Sequence, residues 1–205
     1  MPEAPIDFNA ELRRLNLHSS VTSISSWILH PGMLFDSPWK WWGDLGKRNF
    51  AHEGLDLCCF KTSLDKDVHL VSPEMFFPAI LSGTIALIID DLLAQTIFIR
   101  HEAHRSASGC LFSIFAHASA LNHLAQGSRI NQGDALCTVP CLEKDIPGMQ
   151  AHLHLSLAWV PKQMPVQELS WNLLNHRQGL ILQDPLRWMH CQYQIDHNPF
   201  PLHTG

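Results

Sequence analysis

The segment Ala151-His152-Leu153-His154-Leu155-Ser156-Leu157 alternates apolar and polar residues, a pattern that a β-strand satisfies and a helix does not. A strand repeats every two residues, so His152 and His154 emerge on one face while Ala151, Leu153, Leu155 and Leu157 point to the other. The apolar face packs; the imidazole face is left for chemistry. His52-Glu53-Gly54-Leu55-Asp56 repeats this logic, with His52, Gly54 and Asp56 on one parity and Leu55 and Leu57 on the other. A spacing of four also suits a helix, but Gly54 and the β-prone residues after it favour a strand or a turn entering one. In either conformation His52 and Asp56 face the same side. A third segment, Ile114-Phe115-Ala116-His117-Ala118-Ser119, carries His117 in another strand-like run.

These residue types suit a metal. A catalytic zinc site uses about three protein ligands from His and carboxylate and keeps a further position for water. His52, Asp56 and one histidine of the 152/154 pair make such a set. The remaining two histidines are then free for proton transfer, for which the unperturbed imidazole pKa is well placed at neutral pH. Because the chain holds 14 histidines in 205 residues, any one of these motifs can arise by chance, and the argument rests on all three together. His101, His104, His123, His176, His190 and His197 read as ordinary core or surface residues.

The order and context of the three phrases resemble the lysostaphin/LytM-type zinc metalloendopeptidases, which cut the peptide part of bacterial cell walls. That family's His-x-Gly-x-Asp is matched by His52 to Asp56, its aromatic-Ala-His by Phe115-Ala116-His117, and its His-x-His by His152-Leu153-His154. The glycine turns the family places between the last two are matched by Gln126 to Asp134, and its closing Asp-Pro turn, more weakly, by Gln183-Asp184-Pro185. The resemblance covers residues 50 to 160. It implies a mainly β, two-sheet antiparallel, sandwich-like fold of the LytM or duplicated-hybrid-motif type, with short helical decorations at the N- and C-termini. It also implies zinc bound by His52, Asp56 and His154, with His117 and His152 as catalytic histidines. One of that pair would act as general base toward the water, and the other would stabilise the oxyanion or donate to the leaving amine. In the family the loop before the first ligand borders the substrate groove, which here is Asp36 to Asn49 with Trp39, Trp41 and Trp42. The loop Pro140 to Gln150 departs from the glycine- and threonine-rich loop usual before His-x-His.

Three functional classes follow. The first is a zinc endopeptidase hydrolysing peptidoglycan crosslinks; the others are a catalytically silent binding or activator module, and a metallohydrolase acting on a different peptide or ester. The substrate expected is a peptide or peptidoglycan. With a net charge of −5 and no cluster of basic residues beside the aromatics, nucleic acid is not an expected partner. No apolar run approaches the ~20 residues of a membrane helix; the longest, near Ile85 to Ile89, ends at Asp90-Asp91 and reads as a buried strand. Met1 to Asp7 lacks the basic-then-apolar pattern of a secretory signal, while the resemblance points to the cell envelope, so the compartment stays open. The six cysteines, two of them adjacent at 58 and 59, are expected as reduced thiols. Cys58 shares the parity of His52 and Asp56, which allows it to lie near the metal, although a small buried residue is the commoner role.

The expected organisation is an N-terminal helix and Trp-rich approach over 1–49, a metallopeptidase core over 50–161, and an extension packed on the same domain over 162–205. The helix is expected near Ala10 to Leu15. Strands are expected at Leu55–Lys61, Gly83–Ile89, Thr96–His101, Cys110–His117, Ala135–Val139, His152–Trp159 and Leu180–Leu182. Gln167 to Leu174 has helical periodicity, and Pro199-Phe200-Pro201 is expected to be poorly ordered.

Overall fold

In the computed structural model, which describes residues 3–17, 22–65, 67–91, 93–141 and 146–200, the chain begins with a short strand β1 (Ile6–Asp7). Asp7 caps the helix that follows, α1 (Phe8–Leu15), by accepting the Ala10 N–H at 2.9 Å. Phe8 and Leu12 lie one turn apart and bury together.

Strands β2 (Ile24–Leu29), β3 (Leu55–Leu57), β4 (Cys59–Thr62), β5 (Val68–Leu70), β6 (Phe77–Pro78) and β7 (Gly83–Asp90) come next. They are followed by β8 (Gln95–Arg105), β9 (Gly109–Ala120), β10 (Arg129–Ile130), β11 (Ala135–Thr138) and β12 (Leu153–Pro161). Helix α2 (Trp171–His176), β13 (Ile181–Gln183), β14 (Met189–His190) and β15 (Tyr193–Ile195) close the described chain. The class is mainly β with short helices, as the sequence patterning predicts; the main sheet is antiparallel as expected, whereas β1 pairs with β14, and β15 with β2, in parallel.

The main sheet is organised about β9. One edge of β9 pairs with β8; the other pairs with β12 over Gly109–Ala116 and then with β11 at Ser119 and Ala120. Strand β12 in turn pairs with β3, so that His154 lies directly opposite Asp56 on one side and Ala116 on the other. The switch of partner from β12 to β11 falls at His117.

A smaller sheet, in the order β15-β2-β4-β5, packs beneath. Its strand β2 lies inside the segment read from sequence only as a Trp-rich approach. The ring of Trp27 from β2 meets Phe8, Phe60 and Phe77 with centroids 6.4, 5.8 and 6.5 Å away, and its N–H donates to Asn9 Oδ1.

Both faces of the main sheet are covered. Phe115, Leu153, Leu155 and Leu157 join the core shared with Trp27, while Phe98, Phe112, Ile114, Ala158 and Val160 pack against Leu169, Leu174 and Leu180 of the C-terminal segment. Burial on both sides explains why Leu111 to Ala116 is apolar at nearly every position instead of alternating. Each fully buried leucine or phenylalanine here contributes roughly 1.5–3 kcal/mol, which holds the C-terminal segment on the sheet.

The chain end departs from expectation: Pro199 is buried, and Phe200 packs on Trp41 at a centroid distance of 5.7 Å. Pro201 lies outside the described residues. Among those described, no helix is long and apolar enough to cross a membrane.

Candidate metal centre

Strand pairing brings the first and last histidine motifs together. With His154 opposite Asp56, and His52 one helical-type spacing before Asp56, three donor atoms converge: His52 Nε2, Asp56 Oδ1 and His154 Nδ1. Their separations are 3.2 Å (His52 to Asp56), 3.2 Å (His52 to His154) and 2.7 Å (Asp56 to His154). A tetrahedral zinc with bonds of ~2.1 Å spaces its ligands about 3.3–3.4 Å apart, so two edges of the triangle match and the third needs a small opening. The residues fit the ion.

Gly54 makes the approach possible. A Cβ at this position would stand 2.3 Å from Leu155 O, 2.6 Å from Ser156 Oγ and 2.7 Å from His154 Nε2. The glycine between His52 and Asp56 is therefore required by the backbone of β12 passing over it.

The outer atoms of the triad are held as a metal site requires. His52 Nδ1 lies 3.0 Å from the Leu34 carbonyl, which can only accept; the proton sits on Nδ1, and Nε2 keeps its lone pair toward the triad. His154 Nε2 is 2.8 Å from the Ser156 hydroxyl, which serves either tautomer. Asp56 Oδ2 accepts the Trp41 indole N–H at 2.6 Å and lies 3.6 Å from Arg48 Nη2.

Burial alone would raise the Asp56 carboxyl, but the neighbouring His52 and His152 and the hydrogen bonds from His154 and His52 hold it well below the usual carboxylate range. The carboxylate is charged and available to a cation.

The other two histidines flank this triad. His152 stands 3.9 Å from Asp56 Oδ1 through Nε2, and its Nδ1 donates to Gln150 O at 2.8 Å. Burial lowers its pKa to about 4 despite the opposing pull of Asp56, so the ring is neutral at pH 7. The His117 ring lies 5.0 Å from His152 and 6.0 Å from His154, centroid to centroid. His52, Asp56, His152 and His154 are all at most 4% exposed, whereas the His117 side chain is 21% exposed. All five sequence-derived residues are thus brought into one cluster.

His117 reaches the cluster against its parity. Cross-strand neighbours project to the same face, so Phe115 goes with Leu155 and Ala116 with His154. A regular strand would turn His117 toward the face of Phe115, away from His154. Instead His117 adopts φ 54°, and the β8–β9 register slips between the pairs Gln95↔Ala118 and Ile97↔Phe115. The left-handed backbone costs about 1–2 kcal/mol in a residue other than glycine, and the bulge redirects the imidazole to the metal face.

Arg48, Trp171 and Asp91 were not identified as site residues from the sequence. Of the three tryptophans in the 36–49 loop only Trp41 reaches the cluster, its ring 5.0 Å from that of His152, centroid to centroid; Trp39 and Trp42 lie beside Lys47 and Lys40. Arg48 lies four residues before His52 and carries no local signal. Trp171, the first residue of α2, stacks on His117 at 6.0 Å and 11° and sits 5.2 Å from His154. Asp91 lies beside His117, and its one sequence signal is the Asp pair that ends the apolar run of β7. Cys58 does not join the cluster. It is buried, and its thiol, 3.6 Å from that of Cys59, is pushed well above its ordinary pKa by burial and by Cys59. All six cysteines are free thiols.

No family model matches the chain, and no curated protein matches it in sequence. Among solved structures it is similar to CbpA from L. salivarius REN, at 16% identity and TM-score 0.44, covering 78% of this chain and 84% of that one. It is also similar to the catalytic domain of lysostaphin, the antimicrobial peptidase from Staphylococcus simulans, at 14% identity and TM-score 0.41 over 86% of this chain and 95% of that one. Against a solution structure of lysostaphin the figures are 16% and 0.44, with 71% of this chain and 46% of that chain covered.

Proposed function

We propose that this protein is a zinc-dependent endopeptidase that hydrolyses peptide bonds in bacterial peptidoglycan crosslinks. The observation that carries the proposal is the buried triangle of His52 Nε2, Asp56 Oδ1 and His154 Nδ1 with two further imidazoles on its rim. The peptidoglycan substrate rests on the likeness of the three motifs to lysostaphin/LytM-type enzymes.

His52, Asp56 and His154 would hold the zinc, with Trp41 and Arg48 restraining the free oxygen of Asp56. Bound there, zinc would acidify a water molecule and polarise the scissile carbonyl. His152, whose Nδ1 proton is committed to Gln150 O, presents an unprotonated Nε2 to the centre and can accept a proton. His117, whose ring lies 5.0 Å from that of His152, can share the proton transfers or donate to developing negative charge.

Purified protein should hold one zinc per chain by elemental analysis and release soluble peptides from purified cell wall in a chelator-sensitive reaction. His154→Ala should lose both the zinc and the activity. His117→Ala should keep the zinc and lose turnover. Zinc without release of cell-wall peptides, but with cleavage of small peptides, would move the substrate elsewhere. Absence of zinc would turn the reading to a silent binding module.

A further inference from the structure

The geometry points to Asp91 as the positioning residue that fixes both the backbone turn and the ring tautomer of His117. This inference rests on the proposed hydrolytic role of His117, although its principal test does not.

Asp91 lies in the hairpin between β7 and β8, with its side chain only 2% exposed. Its two carboxylate oxygens do different work. Oδ1 accepts the N–H groups of Leu93 and Ala94, both at 2.8 Å, and so closes the hairpin turn. Oδ2 accepts the Thr96 hydroxyl at 2.8 Å and the His117 N–H at 3.2 Å, and it lies 3.5 Å from His117 Nδ1. One oxygen therefore holds the left-handed residue by its backbone and faces its ring.

Three observations make this more than a turn cap. First, His117 reaches the metal face only through its positive φ, so whatever secures that backbone secures the side chain's direction. Second, His117 Nδ1 is buried and has no hydrogen-bond partner in good geometry among the described residues, and Asp91 Oδ2 is the acceptor beside it. A carboxylate there favours the proton on Nδ1, which leaves Nε2 as the basic atom for the centre. Apo catalytic contacts are often long and tighten in the loaded state, and 3.5 Å is such a contact. Third, Thr96 is itself held: it accepts the indole N–H of Trp171 at 3.1 Å, and Trp171 stacks on the same His117 ring. The carboxylate, the hydroxyl and the indole form a closed support around one imidazole.

Burial by itself would raise the Asp91 carboxyl, but the His117 ring, the Ala94 N–H and the Thr96 hydroxyl hold it well below its ordinary value. It stands as a carboxylate.

The test is Asp91→Asn. An asparagine carries one acceptor and one donor end, so it can serve the Leu93/Ala94 pair or the Thr96/His117 pair but not both. Long-range nitrogen–proton NMR of the imidazoles reports the tautomer without any turnover. In the wild-type protein the proton of neutral His117 is expected on Nδ1, and in Asp91→Asn the ring should shift toward the Nε2–H form. The variant should retain one zinc, and kcat on cell wall should fall about 100-fold with little change in KM. An Nε2–H ring in the wild type, or identical His117 spectra in the two proteins, would overturn the assignment. Should Asp91→Asn fail to fold, the wild-type spectrum still decides, and Thr96→Val removes one support of Oδ2 while leaving the turn bonds intact. A protein that binds zinc but cuts no peptide would refute the function and leave the tautomer result standing.

Discussion

Gly54→Ala places one methyl group where the structure has no room for it. The new Cβ would lie 2.3 Å from Leu155 O, 2.6 Å from Ser156 Oγ and 2.7 Å from His154 Nε2. Ordinary contact begins near 3.4 Å, so β3 and β12 must separate by about 1 Å. The nearest of the three contacts is backbone, fixed by the pairing of Leu155 with Leu55, and the other two are the buried His154 ring and Ser156 hydroxyl, which hold one another. Overpacking of this kind costs typically ~1–3 kcal/mol, which for a chain of this size lowers Tm by roughly 2–4 °C per kcal/mol. The larger effect falls on the metal. Ligand distances must be met within about 0.2 Å, and a displacement near 1 Å takes His154 away from Asp56 and His52. We expect zinc affinity to fall at least ~100-fold, equivalent to about 2.7 kcal/mol. Competition against a chromophoric chelator, together with melting curves of apo and zinc-loaded protein, measures both terms. Gly46→Ala is the control, because the nearest atoms its Cβ would meet belong to the exposed Asp44 carboxylate, which can swing aside, and the cost should stay within ~0.5 kcal/mol. Zinc affinity in Gly54→Ala equal to wild type, with Tm unchanged to within a degree, would refute the reasoning.

Trp41→Phe keeps a ring beside His152 but deletes the N–H bonded to Asp56 Oδ2, and zinc affinity should fall ~10–100-fold with the fold retained; unchanged affinity would remove Trp41 from the support of the ligand. His101 titrates in the fold far from this chemistry: it is fully buried between Ser82 O and Ser113 Oγ, and burial lowers its pKa to about 4. Its folded pKa lies below the unfolded value near 6.5, so the unfolded chain binds the proton more readily. The stability this group secures is complete above pH ~6.5 and is lost as pH falls toward 4, by up to about 3 kcal/mol. Denaturant unfolding of the apo protein between pH 7.5 and 4 should show that loss together with a parallel one from His152, whose pKa also falls to about 4, and His101→Gln should reduce the slope without abolishing it; an identical slope in the variant would exclude His101 as a contributor.

Much of the architecture was written locally. The alternation at 151–157, the mixed parity at 52–57 and the apolar run at 110–116 predicted the strands of the main sheet and the mainly β class, because side-chain period reports directly which residues share a face. The same periodicity could not reveal β2 in the Trp-rich approach, where Ser25-Ser26-Trp27 interrupts any clean alternation. Nor could it anticipate the parallel pairing of β15 with β2, a contact between chain ends. At the site, the identity of the five polar residues was legible from their spacing and order. That His154 lies across from Asp56 is a matter of register, and register depends on the packing of Leu153, Leu155 and Leu57 beneath.

His117 marks the boundary between the two kinds of information. Read by period two it belongs with Phe115 in the core, and nothing in Phe115-Ala116-His117-Ala118 announces a bulge. Its direction is decided by the point at which β9 exchanges β12 for β11, and by a carboxylate 26 residues earlier that holds its backbone in a left-handed turn. The amino-acid sequence by itself determined which groups were available and which strands would carry them. Only the tertiary structure decided which faces those groups occupy, because a strained backbone angle persists where surrounding contacts outweigh its cost, and those contacts come from segments distant in the chain.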